Sequence, residues 1–211
     1  MENIQIKQER SGMISQEALQ SAKEAYRIEA ACLQEMLAYF DDEAFSRAVE
    51  LLAGAPRIGA SGCGHSGIVC QHFAHLMCCI ERPARFISPA EAIHGATGFL
   101  QPGDVMVLAS RGGKTKELFP IADICHARGV PIITVTENME SPLAQAATVV
   151  LKQHVNRETD KWNAQGTTST TSLCMIFHAL QAALIEVTGF QAQQFAVIHP
   201  GGAVGERLNK R

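Results

Sequence analysis

Apolar residues recur at three- and four-residue steps from Leu173 to Val187 (Leu173, Ile176, Phe177, Leu180, Leu184, Val187), a spacing that predicts a helix. Near the N-terminus Ala25, Ile28, Leu33, Met36 and Leu37 recur in the same way within an alanine-rich stretch, predicting a helix over Ser15–Tyr39 with Ser15 as N-cap. Asp41 or Asp42 can cap a second helix running to about Leu52 and stopped by Gly54 and Pro56. Beyond Pro56 short apolar runs alternate with helical segments. The runs Arg57–Ser61, Ala84–Ile87, Val105–Ala109, Pro131–Val135 and Thr148–Leu151 read as strands, the first of them central. Helices are expected between them at roughly Ser66–Ile80, Lys116–Arg128 and Pro142–Ala147. Such alternation builds βαβ units, hence an α/β fold with a parallel sheet covered on both faces.

In open sheets of this kind ligands bind beyond the carboxyl ends of the strands, near a switch point in strand order. Three loops fall there. Gly62-Cys63-Gly64-His65-Ser66-Gly67 follows the first strand and can bring backbone N–H groups close to an anion. Ser110-Arg111-Gly112-Gly113-Lys114-Thr115 follows Val105–Ala109 and adds hydroxyls and cations. Thr167-Thr168-Ser169-Thr170-Thr171-Ser172, preceded by Gly166, carries six consecutive hydroxyls into the predicted helix start. One hydroxyl suffices to cap a helix, so the surplus suits a polyhydroxylated anion such as a sugar phosphate, although an ordinary capped core helix reads the same way.

The formal net charge of −3 argues against a nucleic-acid partner. No apolar run approaches the roughly 20 residues that cross a bilayer, and Met1–Lys7 lacks the apolar core of a signal peptide, so a cytoplasmic protein without a membrane partner is expected. The seven cysteines are odd in number and contain no Cys-x-x-Cys pair, which suits reduced thiols. His72 and His75, set among apolar residues, read as facing the core or a subunit contact, and no metal site is expected.

Candidate acids and bases stand beside these loops: His94 in Ala90–Gly95, Glu158 before the hydroxyl tract and His199 in His199-Pro200-Gly201-Gly202. Each has a plainer role as well. His94 could cap a turn, His199 could fix the C-terminal segment, and Glu158 could be solvated.

The set Gly62–Gly67, Ala90–Gly95, Ser110–Thr115, Thr167–Thr171 and His199–Leu208 resembles sugar-isomerase (SIS) domains, and more narrowly their arabinose 5-phosphate isomerase branch. The resemblance runs from about Arg57 to Leu208 and is most specific over Phe190–Leu208. It implies a flavodoxin-like three-layer sandwich with a five-stranded parallel sheet. The N-terminal helices (1–55) belong to the same domain as the sugar-phosphate-binding part (56–211). It also implies a homo-oligomer, dimer or tetramer, with sites shared between subunits. Many members of the branch continue into paired CBS modules; with the chain ending at Arg211, that part is expected to be missing.

By resemblance His94, His199 and Glu158 match positions linked to catalysis, and Ser66, Ser110 and Thr115 match phosphate-binding hydroxyls. The chain departs from the branch where Gly112 replaces Ser, Lys114 replaces Glu, His65 replaces Lys and Ala96 replaces Asp. The expected reaction is aldose–ketose isomerisation of a small phosphorylated sugar through a cis-enediol, without cofactor. Glu158 would be the base, His94 and His199 would open the ring and protonate oxygen, and Lys114 would stabilise charge. Gly64, His65, Ser66, Ser110, Thr115, Thr167 and Thr168 would hold the phosphate. The rival readings are a non-catalytic phosphosugar-binding module and an isomerase for another phosphorylated sugar.

Overall fold

The computed structural model describes residues 14–209, so the segment read above for a signal peptide lies outside the described residues. Five parallel strands, β1 (Ile58–Gly62), β2 (Ala84–Phe86), β3 (Val105–Ala109), β4 (Ile132–Thr136) and β5 (Val149–Lys152), pair in the order β2-β1-β3-β4-β5. β1 is therefore interior but β3 occupies the middle, which corrects the expected order. The switch in strand order falls between β1 and β3, where Ile58 pairs with Val105 and Gly62 with Ala109.

The pleat of β3 divides the core. Val105, Val107 and Ala109 face one apolar cluster with α2 (Asp42–Gly54), α3 (Gly64–Cys78) and α7 (Thr168–Thr188), while Met106 and Leu108 face a second with α5 (Phe119–Arg128). The result is a three-layer α/β sandwich. On the α3 side, Phe73 and Phe177 pack ring against ring with centroids 4.3 Å apart.

The N-terminal helices belong to this core. α1 (Gln16–Met36) is capped by Ser15, whose side chain accepts from Ala18 N–H, and Asp41 does the same for α2 through Ala44 N–H. Both helices pack on α7. Three backbone carbonyls at the end of α2 (Leu52, Ala53, Ala55) accept from Arg82, a capping arrangement that joins residues far apart in sequence.

Three expectations change. α7 is 21 residues long and contains an 18-residue stretch of mean hydropathy 1.4, long and apolar enough by length and composition to cross a membrane, but it packs on α1, α2 and α3. The expected apolar limit counts only its unbroken core and omits the hydroxyl tract, which is helical too. His72 and His75 lie on the exposed face of α3, not toward the core, because Phe73, Ala74 and Met77 take the buried positions. Three short helices, α4 (Pro89–Ala92), α8 (Ala192–Ile198) and α9 (Gly202–Asn209), add to the expected set; α6 (Pro142–Gln145) lies within its expected range.

Candidate functional site

The loops after β1, β2, β3 and β5 all start at the carboxyl edge of the sheet, and those after β1 and β3 flank the switch point. In the first, a Cβ on Gly67 would lie 2.6 Å from the carbonyl oxygen of Gly62, so only glycine lets α3 start this close to the strand end. Cys63 makes no side-chain cap, which leaves the leading N–H groups of α3 at Gly64, His65 and Ser66 available to a ligand. Gly64 and His65 are exposed and Ser66 is half-buried.

A cavity of about 350 Å3 opens beside this turn, with Gly62, Cys63, Gly64, Ser88 and Glu117 among its lining. Among the described residues its wall holds one carboxylate, Glu117. Burial, and after it the charge of Glu117, push the Cys63 thiol above its ordinary value. Sequence reasoning misses Glu117 because Lys116–Arg128 reads as one helix. A tighter 3-10 turn over Lys116–Leu118 precedes α5, burying Leu118 and setting Glu117 against the cavity. The usable signal is a carboxylate at the junction between a strand-following loop and a helix.

In the second loop the Ser110 and Thr115 hydroxyls hydrogen-bond at 2.8 Å, and Gly113 N–H donates to Ser110 Oγ at 3.1 Å. Gly113 has φ +63, and a Cβ there would fall 1.9 Å from Ser141 Oγ. Lys114 and Lys116 are exposed. Arg111 turns the other way, donating from Nε to Glu137 at 2.8 Å and from Nη1 to Glu158 at 2.7 Å.

Glu158 is 3% exposed. Its Oε1 takes the Arg111 bond, and its Oε2 accepts from Thr167 N–H at 2.9 Å, Ser169 N–H at 3.1 Å and Thr167 Oγ1 at 3.2 Å. Burial raises the pKa of this carboxyl, but hydrogen bonds from Ser169 and Thr167 and the Arg111 charge outweigh it and leave it below its ordinary value. The carboxylate thus occupies the N-terminus of α7 where a ligand anion was expected.

Most of the hydroxyl surplus is internal. Thr170 donates to Gly166 O, Thr171 to Glu29 of α1, and Ser172 to Ser169 O. Thr159 bonds the Thr167 hydroxyl, and the Gln153 amide ties Ser169 O and Ser172 Oγ to the end of β5. Thr168 is the exception: its Oγ1 is buried without a partner among the described residues. A Cβ on Gly166 would sit 3.1 Å from His65 Cδ2, so the hydroxyl tract and the first glycine loop adjoin.

The two expected histidines do not meet within one chain. His94 is exposed just after α4 on the carboxyl edge. His199 follows α8, whose Gln194 donates to Glu81 at 2.7 Å, beside the entry to β2 at the opposite edge. α7, 21 residues or about 30 Å long, separates that segment from the loops. The His199 ring packs tilted against Phe195 with centroids 4.9 Å apart, and its Nδ1 is buried without a partner among the described residues. No group of three or more His, Cys, Asp or Glu side chains among the described residues could hold a metal ion.

The model of the SIS domain family matches residues 51–183. The chain belongs to the SIS domain family. This SIS chain is 38% identical over 191 residues to arabinose 5-phosphate isomerase KdsD of Pseudomonas aeruginosa, covering 90% of the chain and 58% of that protein. It is 32% identical over 212 residues to arabinose 5-phosphate isomerase KpsF of Escherichia coli, covering 100% of the chain and 65% of that protein. The SIS chain therefore spans roughly three-fifths of the length of the curated relatives it matches. A solved Listeria monocytogenes protein, named as a candidate sugar-phosphate isomerase, superposes with a TM-score of 0.86 at 35% identity, covering 90% of this chain and 100% of that one. An E. coli CFT073 protein solved in complex with arabinose 5-phosphate shares the fold at a TM-score of 0.80 and 24% identity, over 89% of this chain and 100% of that one.

Proposed function

We propose that this SIS chain is an aldose–ketose isomerase for a phosphorylated sugar, with arabinose 5-phosphate the substrate its relatives' names point to. The carrying observation is the cavity at the switch point, with Glu117 in its wall beside the uncapped start of α3. The phosphate would be held by the Ser110–Thr115 hydroxyl pair, the N–H groups of Gly64, His65 and Ser66, and the unpartnered Thr168 hydroxyl. Thr167, engaged with Glu158, would shape that site without touching the phosphate.

Glu117 takes the role of base that the sequence suggested for Glu158. A carboxylate facing a cavity can accept a proton from one sugar carbon and return it to its neighbour, passing through a cis-enediol. Glu158 has both oxygens engaged and a lowered pKa, so it orders the start of α7. His94 assists ring opening, and the exposed ammonium of Lys114 draws the anionic sugar and offsets enediolate charge.

His199 would act on the site of another copy. Exposed apolar residues on its segment (Val197 77%, Ile198 46%, Val204 41%) support burial of α8 and α9 against a partner subunit. Free sugar phosphates are cytoplasmic metabolites, so the enzyme would work there.

The test is aldose–ketose conversion across phosphorylated pentoses and hexoses, with Glu117→Gln alongside. Turnover by the wild type, lost in Glu117→Gln while calorimetric binding persists, is the expected result. Tight binding by the wild type with no turnover of any sugar would favour the phosphosugar-binding module instead.

A further inference from the structure

α3 and α7 pack side by side, and near the middle of their exposed seam two histidines from distant parts of the chain meet. His72 Nε2 and His178 Nε2 are 3.2 Å apart, with ring planes at 83°. Both side chains are exposed. Nothing in the isomerase reading uses them: they lie two turns or more along their helices from the loops, His72 eight residues after Gly64 and His178 ten after Thr168.

The geometry points to a two-histidine site for a divalent transition-metal ion of the nickel, copper and zinc class. Imidazole nitrogens bind such ions at about 2.0–2.1 Å, which puts two nitrogens of one coordination shell about 2.9 Å apart at a right angle and about 3.3 Å apart in a tetrahedron. The observed 3.2 Å lies within that span. Without an ion one ring donates to the other; to share an ion, the two exposed rings must turn so that both Nε2 lone pairs face it. No third protein ligand converges there among the described residues, so water fills the remaining positions. Imidazole nitrogen suits nickel, copper and zinc, whereas magnesium and calcium prefer oxygen.

An ion held there would link two helices that are otherwise joined by packing and by the hydrogen bond that the Gln181 side-chain amide donates to Leu76 O. It would bind only the folded chain, because residues 106 positions apart meet only there. Ni2+ should therefore raise the melting temperature and Mg2+ should not.

The test is calorimetric titration and thermal unfolding of the whole chain with Ni2+, in wild type, His72→Gln, His178→Gln and Cys79→Ser. The cysteine variant controls for the thiol that lies 3.6 Å from His75 Nε2. One Ni2+ per chain is expected, weakened at least roughly tenfold by either histidine change and retained in Cys79→Ser. Circular dichroism without metal checks that each variant is folded, and Co2+ spectra report nitrogen ligation without sulfur charge-transfer bands. Absence of Ni2+ binding by the wild type, or binding unchanged in both folded histidine variants, overturns the proposal.

Discussion

Arg111 and Glu158, separated by 47 positions, form an ion pair of 2.7 Å in which the arginine side chain is 37% exposed and the glutamate 4%. The pair connects the loop after β3 to the start of α7. The second Arg111 bond reaches Glu137 at the end of β4, and Glu137 Oε1 in turn accepts from Val155 N–H at 3.2 Å. One guanidinium thereby aligns three strand ends.

Arg111→Met should leave the Glu158 carboxylate buried with one oxygen unpaired. A destabilisation of about 2–3 kcal/mol is expected, below the figure for a fully buried pair because water reaches the arginine. Urea unfolding measures it, and a loss under about 0.5 kcal/mol would show that the hydrogen bonds from Thr167 and Ser169 suffice.

Acid should act through the same group. The folded pKa of Glu158 is lowered, so its contribution is complete above the unfolded value of about 4.3 and disappears as pH falls through the folded one. Wild type should exceed Glu158→Gln in melting temperature at about pH 6, with the gap closing in the acid range below about pH 4. A gap that stays constant down to about pH 3 would contradict the assignment.

Gly113→Ala meets two obstacles together, φ of +63 and the Ser141 hydroxyl in the space a Cβ needs. A loss of about 2 kcal/mol or more is expected by chemical denaturation. Gly112→Ala, where nothing lies within 4 Å of a Cβ, is the mild control.

Ser110→Ala should weaken sugar-phosphate binding by about 1 kcal/mol or more, and Thr115→Ala similarly, because each removes half of one hydroxyl pair. Isothermal titration with a pentose phosphate checks both. Unchanged affinity in both variants moves the phosphate elsewhere.

Lys114→Glu, at an exposed position, should leave the melting temperature within about 1 °C of wild type while weakening binding of an anionic sugar. Wild-type affinity and turnover in this variant would mean that the ammonium serves only solvent.

Local chemistry is legible wherever a local cause decides the structure. Val105–Ala109 is a strand with the bounds its apolar run predicts, and Ser15 and Asp41 cap their helices as their hydroxyl and carboxylate suggest. The helix after the hydroxyl tract is legible from the spacing of Leu173, Ile176, Phe177, Leu180 and Leu184. The use of those hydroxyls is not. Thr171 bonds Glu29 across 142 positions and Arg111 reaches Glu158 across 47, and no pattern along a chain encodes such pairings. Glu117 is hidden by a 3-10 turn inside a segment with helical periodicity. The residues around His199 mark it as a site candidate, but the route of the chain around α7 decides which edge of the sheet it occupies.

The length of α7 has a genetic corollary. If His199 serves a neighbouring copy, damage at Glu117 and damage at His199 fall on different sites of the same assembly. A chain carrying Glu117→Gln and another carrying His199→Ala, each inactive alone, would together contribute one undamaged Glu117 and one undamaged His199 to a shared site. Mixed assemblies would regain part of the activity that neither pure population has, while wild type diluted by one variant alone would lose activity only in proportion, because each damaged chain still donates its intact residue.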